Sequence, residues 1–256
     1  MSIETRDKGA GRMPAEVDGA GFGWRRLQTV AAWGALISFL VPMLITLSFE
    51  PFLAAMAAPF VIGLLVRLKW PRVGAVLLGL FSLAVLASGA PFLVDALSHP
   101  ESTVDFLPLV LFTISTLVGT IAATPAYRES APPATTSRAA RGLAMAGGTV
   151  LVAAAIVSVI AFMGVESEGA QAGDVRLTAE DVEFAPETFT ADAGTVSVSV
   201  TNEDATRHTF TIDGLDVDLN IPPNTTQRVS FEAPAGTYEF YCRPHADVMT
   251  GTLRVG

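Results

Sequence analysis

Five long stretches without a charged side chain occupy most of the first 165 residues of the chain. They cover residues 27–49, 51–66, 73–94, 106–127 and 142–165. All but the second exceed the roughly 20 apolar residues that a helix needs to cross a bilayer. The second has 16 residues and contains Pro59, so it is either a short span or a re-entrant segment. We therefore predict an α-helical membrane bundle of about five spans over residues 27–165.

The charges that flank these stretches indicate an orientation. Basic side chains precede the first stretch and lie in the connections after the second and the fourth: Arg25, Arg26, Arg67, Lys69, Arg72, Arg128, Arg138 and Arg141. The other connections contain acidic residues but no lysine or arginine. Because short cytoplasmic loops are enriched in lysine and arginine, we predict a multi-pass protein of the cell membrane. Residues 1–26 would form a cytoplasmic tail, and the C-terminal part would be an extracytoplasmic, periplasmic domain.

The apolar stretches offer little chemistry of their own. None has a charged residue in its middle, where ion and proton pathways usually need one, and His99 is the only histidine before residue 165. The small residues at 54–58 and 142–148 favour close helix packing, or a docking face for another membrane protein. For the acidic segment 95–105 we expect a solvated loop, with contact to the C-terminal domain as the alternative.

The C-terminal part has the alternation of a β domain. Valines and hydroxyl side chains alternate through residues 195–201, and residues 237–242 place Tyr238, Phe240 and Cys242 on one face. Further candidate strands cover residues 175–184, 208–212, 226–231 and 250–255, separated by Gly, Pro and Asn turn signals. Short strands at this spacing predict an all-β, antiparallel Greek-key sandwich. Residues 174–256 would form this domain, joined to the membrane region by a flexible linker at 166–173.

One short loop near the C-terminus contains three potential metal ligands. Cys242, the only cysteine, is followed by His245 and Met249, and His208 begins an upstream candidate strand. Taken singly, each could be an ordinary core residue. Together, a thiolate, two imidazoles and a thioether form a mixed soft set that suits copper in its +1 and +2 states. Zinc sites instead take strong Cys and His ligands.

The segment from about residue 174 onward resembles the cupredoxins, the small blue-copper electron-transfer domains. The matching residues are 184–186, 196–202, 208–210, 221–223, 236–242, His245, Met249 and 251–255. The resemblance implies one type 1 copper ion, with His208, Cys242 and His245 in a trigonal plane and Met249 as a long axial ligand. Three residues separate His245 from Met249, one fewer than in plastocyanin-like loops and one more than in amicyanin-like loops.

These observations predict a membrane-anchored blue copper protein that carries single electrons on the outer face of the cytoplasmic membrane. The protein would be an electron carrier and not an enzyme. A multicopper oxidase needs more histidines than the three in this chain, and a binuclear copper site needs a second cysteine. The alternative is a copper-binding protein for storage, delivery or sensing, although such proteins tend to use exposed Met or His clusters.

The net charge of the predicted external domain indicates which kind of partner it binds. Residues 165–256 contain 16 acidic and 5 basic side chains, a balance that suits solubility, and also a basic partner. We expect a redox partner such as a basic c-type cytochrome or a membrane respiratory complex, contact with membrane lipid, and no nucleic acid. The linker would span roughly 15 Å as a flexible chain, which keeps the domain near the membrane.

Overall fold

The computed structural model describes residues 21–45, 47, 49, 51–130 and 136–256, and only the backbone of residues 90–92. Most of the predicted cytoplasmic tail lies outside these residues. The helices are α1 (Trp24–Ile45), α2 (Pro51–Lys69), α3 (Pro71–Leu97), α4 (Thr103–Arg128) and α5 (Arg138–Met163). All five have a segment long and apolar enough to cross a membrane. The second apolar stretch forms one helix of 19 residues, with Pro59 inside it.

A buried glutamine joins four of the helices at the end of the bundle where α1 begins. Gln28 is fully buried, and its amide donates to the carbonyl oxygens of Ala75 on α3, at 2.8 Å, and Gly119 on α4, at 3.4 Å. The guanidinium of Arg67 on α2 donates to the Gln28 amide oxygen at 2.9 Å. Because polar groups in an apolar environment must find partners, these bonds favour one arrangement of the helices.

The small residues predicted for close packing are only partly used in that way. A Cβ atom added at Gly142 or Gly148 would meet nothing within 4 Å, although one at Gly147 would lie 3.0 Å from Ile114. The closest helix contacts are elsewhere, for example at Gly34, where an added Cβ would lie 2.3 Å from the Ser115 hydroxyl. Helix α5 therefore has a largely uncovered apolar surface, as expected of a lipid-facing helix.

The C-terminal part is a β-sandwich of two sheets. Its strands are β1 (Val175–Glu180), β2 (Glu183–Ala185), β3 (Thr188–Ala191), β4 (Gly194–Asn202), β5 (His208–Ile212), β6 (Val217–Ile221), β7 (Thr226–Ala233), β8 (Gly236–Tyr241) and β9 (Thr250–Val255). One sheet has the order β2-β1-β4-β7 and the other β3-β9-β8-β5-β6. The all-β sandwich following a helical bundle is as predicted.

The prediction of wholly antiparallel sheets is wrong at two pairings. Strand β1 runs parallel to β4, and β3 runs parallel to β9. After β1 the chain reverses, and β2 runs antiparallel to β1 in the same sheet. The next strand, β3, belongs to the other sheet. The chain then returns to the first sheet as β4, which runs in the same direction as β1. Alternation of side chains reports which face of a strand is buried, whereas strand direction depends on these connections.

Aromatic rings from both sheets form the core next to the candidate ligands. Phe240 is fully buried, and its ring centroid lies 5.2 Å from that of Phe184 and 5.1 Å from that of Phe210. As the alternation predicted, Phe240 and Cys242 are buried, and Tyr238 packs against the same core. The end of β8 is thus held in a close-packed environment, which limits movement of the residues that follow it.

The sandwich contacts the connection between α3 and α4, so the expectation of a solvated loop is wrong. The nearly buried guanidinium of Arg207 pairs with Asp95, and its backbone N–H donates to the Asp105 carboxylate at 3.1 Å. The Asn220 amide donates to Glu101 at 3.1 Å. The acidic residues of this segment therefore meet polar groups of the sandwich instead of water alone.

The segment predicted as a flexible linker also makes contacts with the sandwich. The backbone N–H of Glu168 donates to the Thr226 carbonyl at 2.8 Å, and the Gln227 side chain donates to the Glu166 carbonyl at 2.9 Å. Both partners lie on β7. The first residues after α5 thus run along an edge strand of the sandwich.

Candidate metal centre

Three structural elements bring the predicted ligands to one end of the sandwich. His208 is the first residue of β5, and Cys242 follows the last residue of β8. Strands β5 and β8 are hydrogen-bonded neighbours, which explains how residues distant in sequence meet. His245 lies in a short 3₁₀ turn, Arg243–His245, and Met249 immediately precedes β9.

The three strongest candidate ligands converge. The Nδ1 atoms of His208 and His245 each lie 3.5 Å from the Cys242 sulfur, and all three ligand atoms are within 4.8 Å of one another. Metal bonds of roughly 2.0–2.3 Å to nitrogen and sulfur place ligand atoms at about this separation. His208 and Cys242 are fully buried, and His245 is partly buried. The cluster could therefore hold a metal ion without large movement of its side chains.

Met249 lies on the same closed loop as Cys242 and His245. Its side chain is fully buried. Its backbone N–H donates to the His245 carbonyl at 2.8 Å, and the Cys242 N–H donates to the Met249 carbonyl at 3.0 Å. These bonds join the two ends of the loop, and Met249 as a fourth, axial ligand remains a prediction.

A carboxylate orients the His208 ring. The Nε2 atom of His208 lies 2.8 Å from Asp204, which also accepts the backbone N–H groups of Asp181 and Val182 at 3.0 and 3.2 Å. With Nε2–H donating to Asp204, Nδ1 carries the free lone pair and faces Cys242. Metal-binding histidines are typically fixed in this way by a partner on the other ring nitrogen.

Asn202 in turn holds the loop that contains Asp204. Its buried amide donates to the carbonyl oxygens of Thr206, Ile221 and Pro222 at 2.8, 3.0 and 3.2 Å. Its own carbonyl accepts the Asp204 N–H at 2.9 Å. The Asn202 side chain thus holds in place the backbone that positions Asp204 and His208.

Burial sets the protonation of the ligands. Desolvation lowers the pKa of His208, against the opposing effect of Asp204, and lowers the pKa of His245, where the neighbouring His208 acts in the same direction. Burial raises the pKa of the Cys242 thiol, although the Thr209 N–H, 3.4 Å from the sulfur, opposes this. The imidazoles are therefore ready to bind metal at neutral pH, whereas the thiol must lose its proton to the solvent when it binds a metal ion.

Three supporting residues were not identified from the sequence: Asp204, Thr209 and Arg207. Asp204 could have been found from its position four residues before His208, because a carboxylate there can reach the imidazole ring. Arg207 immediately precedes His208, and its guanidinium pairs with Asp95 of the helical region. Thr209 follows His208, and its hydroxyl accepts the Arg243 N–H at 2.9 Å.

The C-terminal part of the chain is similar to known proteins. Residues 152–255 match the family described as "Cupredoxin-like domain". Among solved structures, a reduced amicyanin with tryptophan replaced by tyrosine is 20% identical, covers 34% of this chain and 86% of its own, and has a TM-score of 0.29. A Cu(I) amicyanin with methionine replaced by alanine is 22% identical, with coverages of 36% and 95% and a TM-score of 0.30.

A search of curated proteins found no match to the chain. The family match begins within α5 and ends with the last residue of β9. The region before it contains the other apolar helices. The β-sandwich of this chain is therefore a cupredoxin-like domain, and it follows a bundle of five apolar helices.

Proposed function

We propose that the protein is a membrane-anchored blue copper protein that carries single electrons on the outer face of the cytoplasmic membrane. The observation that carries this proposal is the convergence of two imidazole nitrogens, each 3.5 Å from one thiol sulfur, at the end of a close-packed sandwich. A bound copper ion would supply a one-electron couple between its +1 and +2 states. His208, Cys242 and His245 would hold it, with Met249 as the weak axial ligand.

The residues around this set favour electron transfer over copper storage or delivery. Asp204 fixes His208, and the bonds between Cys242 and Met249 close the loop. A site held in this way changes little in geometry when its charge changes, which keeps the barrier to electron transfer low. A delivery site must instead open to release its ion.

The exposed surface next to His245 offers a place for a partner. Pro244, Ala246 and Val248 are all exposed, and 69% of the Val248 side chain is accessible. The domain around this small apolar patch is strongly acidic. We propose that a basic one-electron carrier, such as a c-type cytochrome, docks here and accepts electrons.

Electron exchange with a basic c-type cytochrome should be fast at low salt and slow as salt is added. Screening shortens the reach of the acidic domain from roughly 30 Å at 0.01 M salt to about 8 Å at 0.15 M, and we expect the rate to fall roughly tenfold or more. Stopped-flow mixing with the copper-loaded, full-length protein measures this. No exchange at any salt would favour storage or delivery, and a rate flat in salt would assign the acidity to solubility.

The extracytoplasmic position of the copper domain rests on the distribution of lysine and arginine. Reporter fusions made after Lys69 and after Arg138 should show a cytoplasmic position, and fusions after Glu101 and after Glu168 an external one. The fusions after Lys69 and Glu101 lie on opposite sides of α3 and serve as controls for each other. A cytoplasmic signal after Glu168 would contradict both the five-span arrangement and the proposed location of electron transfer.

A further inference from the structure

An apolar cleft opens among the first four helices, at the end of the bundle that meets the cupredoxin-like domain. It has a volume of about 330 Å³. Its lining comes from the end of α1, the start of α2, the end of α3 and the start of α4, and includes Phe39, Phe52, Met56, Val85, Gly89 and Phe112. In the proposed orientation this is the outer leaflet, so the cleft is accessible to a ligand dissolved in the bilayer.

A second, polar cleft lies between the helices and the candidate metal centre. Its volume is about 300 Å³, and its lining includes Asp95, His99, Ser102, Arg243 and His245. Ala96 and Asp105 line both clefts. The two spaces therefore adjoin at Ala96 and Asp105: the apolar one lies within the bundle, and the polar one is lined by the imidazole of the candidate ligand His245.

The charges around the polar cleft favour a neutral hydrogen-bond donor over a phosphate. The Arg207 guanidinium is paired with Asp95, and the Arg243 guanidinium donates to Asp218 at 3.0 Å. The His99 ring lies 2.9 Å from Glu101. The basic groups around the cleft thus have acidic partners. At the junction, the Oδ2 atom of Asp105 accepts the Ser102 hydroxyl and the Arg207 backbone N–H, and among the described residues its Oδ1 atom is left as an acceptor for a ligand. A ligand for both clefts needs an apolar body and a hydroxylated head.

We propose that the joined clefts bind a membrane-dissolved quinol and that this quinol is the electron donor of the protein, an inference that rests on the proposed function. The rings of Phe39 and Phe112, 5.5 Å apart, provide an aromatic wall for the quinol ring. Asp105 can accept one ring hydroxyl, which points the ring edge toward His245. The tails of ordinary phospholipids also fit the apolar cleft, but their heads are phosphates instead of neutral hydroxyl groups, and they have no ring that can be oxidised.

The oxidation of one quinol to a quinone releases two electrons and therefore reduces two molecules of a one-electron acceptor. Both O–H bonds of the quinol break, and its ring is oxidised to the quinone. The two protons leave through the polar cleft to the external water. The two electrons leave one at a time by way of the His245 imidazole, and two molecules of the one-electron carrier proposed above are reduced.

Binding is tested separately from electron transfer, with copper-free, full-length protein in lipid nanodiscs. A short-tailed azidobenzoquinone should label peptides of α1 and α4 in a saturable manner, and excess unlabelled quinone should compete. Gly89→Leu should reduce labelling at least about tenfold, because the new side chain fills the cleft. A Cβ there meets Phe112 only at 3.6 and 3.8 Å, which is ordinary contact. Ser88→Leu provides a second filling variant should Gly89→Leu fail to fold.

The matched control is Gly148→Leu on α5, where an added Cβ meets nothing within 4 Å. Its labelling should equal that of the native protein. Labelling that Gly89→Leu and Ser88→Leu leave unchanged, or that phospholipid competes as well as quinone, would overturn the proposal and identify the cleft as a lipid groove.

A second measurement separates this inference from the proposed function. A decyl-substituted benzoquinol should bleach the copper-loaded native protein and the Gly148→Leu control, and it should bleach Gly89→Leu at least about tenfold more slowly. Ascorbate should bleach all three alike. If ascorbate bleaches the native protein and the quinol does not, the quinol proposal fails, but the proposed function as an electron carrier stands. If the copper-loaded protein shows no reversible redox change, the proposed function itself fails, whatever the labelling shows.

Discussion

Replacing Cys242 by serine should abolish the intense blue absorption of the copper-loaded protein completely. The colour of such a site comes from charge transfer between a thiolate sulfur and the metal, and Cys242 is the only cysteine in the chain. A serine hydroxyl is a harder and much less acidic ligand, so the variant would also lose most of its one-electron activity. Visible spectra of the full-length protein, together with measured copper content, test this.

Met249→Leu is the matched control for this substitution. Both residues are fully buried on the same loop, so both changes test the metal centre and not only the packing. An axial thioether bond is long and weak, and its loss should preserve the blue colour but shift the reduction potential. A serine variant that stayed blue, or a native protein that bound only zinc, would contradict the assignment of Cys242.

Asn202→Ala should cause a clear loss of stability, although the substitution removes no metal ligand. The substitution removes the amide that donates to the carbonyl oxygens of Thr206, Ile221 and Pro222, at a cost of about 1–3 kcal/mol. For a domain of this size the temperature of unfolding falls by roughly 4–8 °C per kcal/mol. Thermal loss of the blue absorption reports the effect, because all the predicted ligands lie in the sandwich.

Asn220→Ala serves as the comparison for Asn202. Asn220 lies on β6 at the edge of its sheet and is only partly buried, so its loss should cost less than about 1 kcal/mol. Asn202→Ala should also alter the electron paramagnetic resonance spectrum of the copper form, since the Asp204 loop then holds His208 less firmly. Equal stability losses for the two variants, with unchanged spectra, would show that Asn202 does not position the ligand.

The ligand set was predictable because it depends on few residues and on local spacing. One cysteine and three histidines leave little choice, and His208, Cys242 and His245 were all identified before the structure brought them together. Asp204 was not identified. Residues 165–256 contain 16 acidic side chains, and only the fold determines which of them faces the His208 ring.

The fold was predictable where the alternation is long. Strands β4, β5, β7, β8 and β9 lie within a residue or two of the predicted ranges. The separate strands β2 and β3 were missed, because three or four residues carry too little alternation to be distinguished from a loop. Strand β6 was also missed, although its five residues alternate. The contact of segment 95–105 with the sandwich was also missed, since a charged loop is usually solvated and the pairing with Arg207 depends on how two distant parts of the chain meet.

The position of β9 has a consequence for the order in which the protein matures. This strand follows Met249 directly, and it pairs with its sequence neighbour β8 on one side and with the distant strand β3 on the other. Pairings between distant segments form late in folding, because the entropy of closing the intervening chain must be overcome first. The apolar helices are synthesised before the sandwich, so in the proposed membrane-anchored protein the full β9 sheet would form on a chain that is already inserted, and metal loading would follow as a late step of assembly.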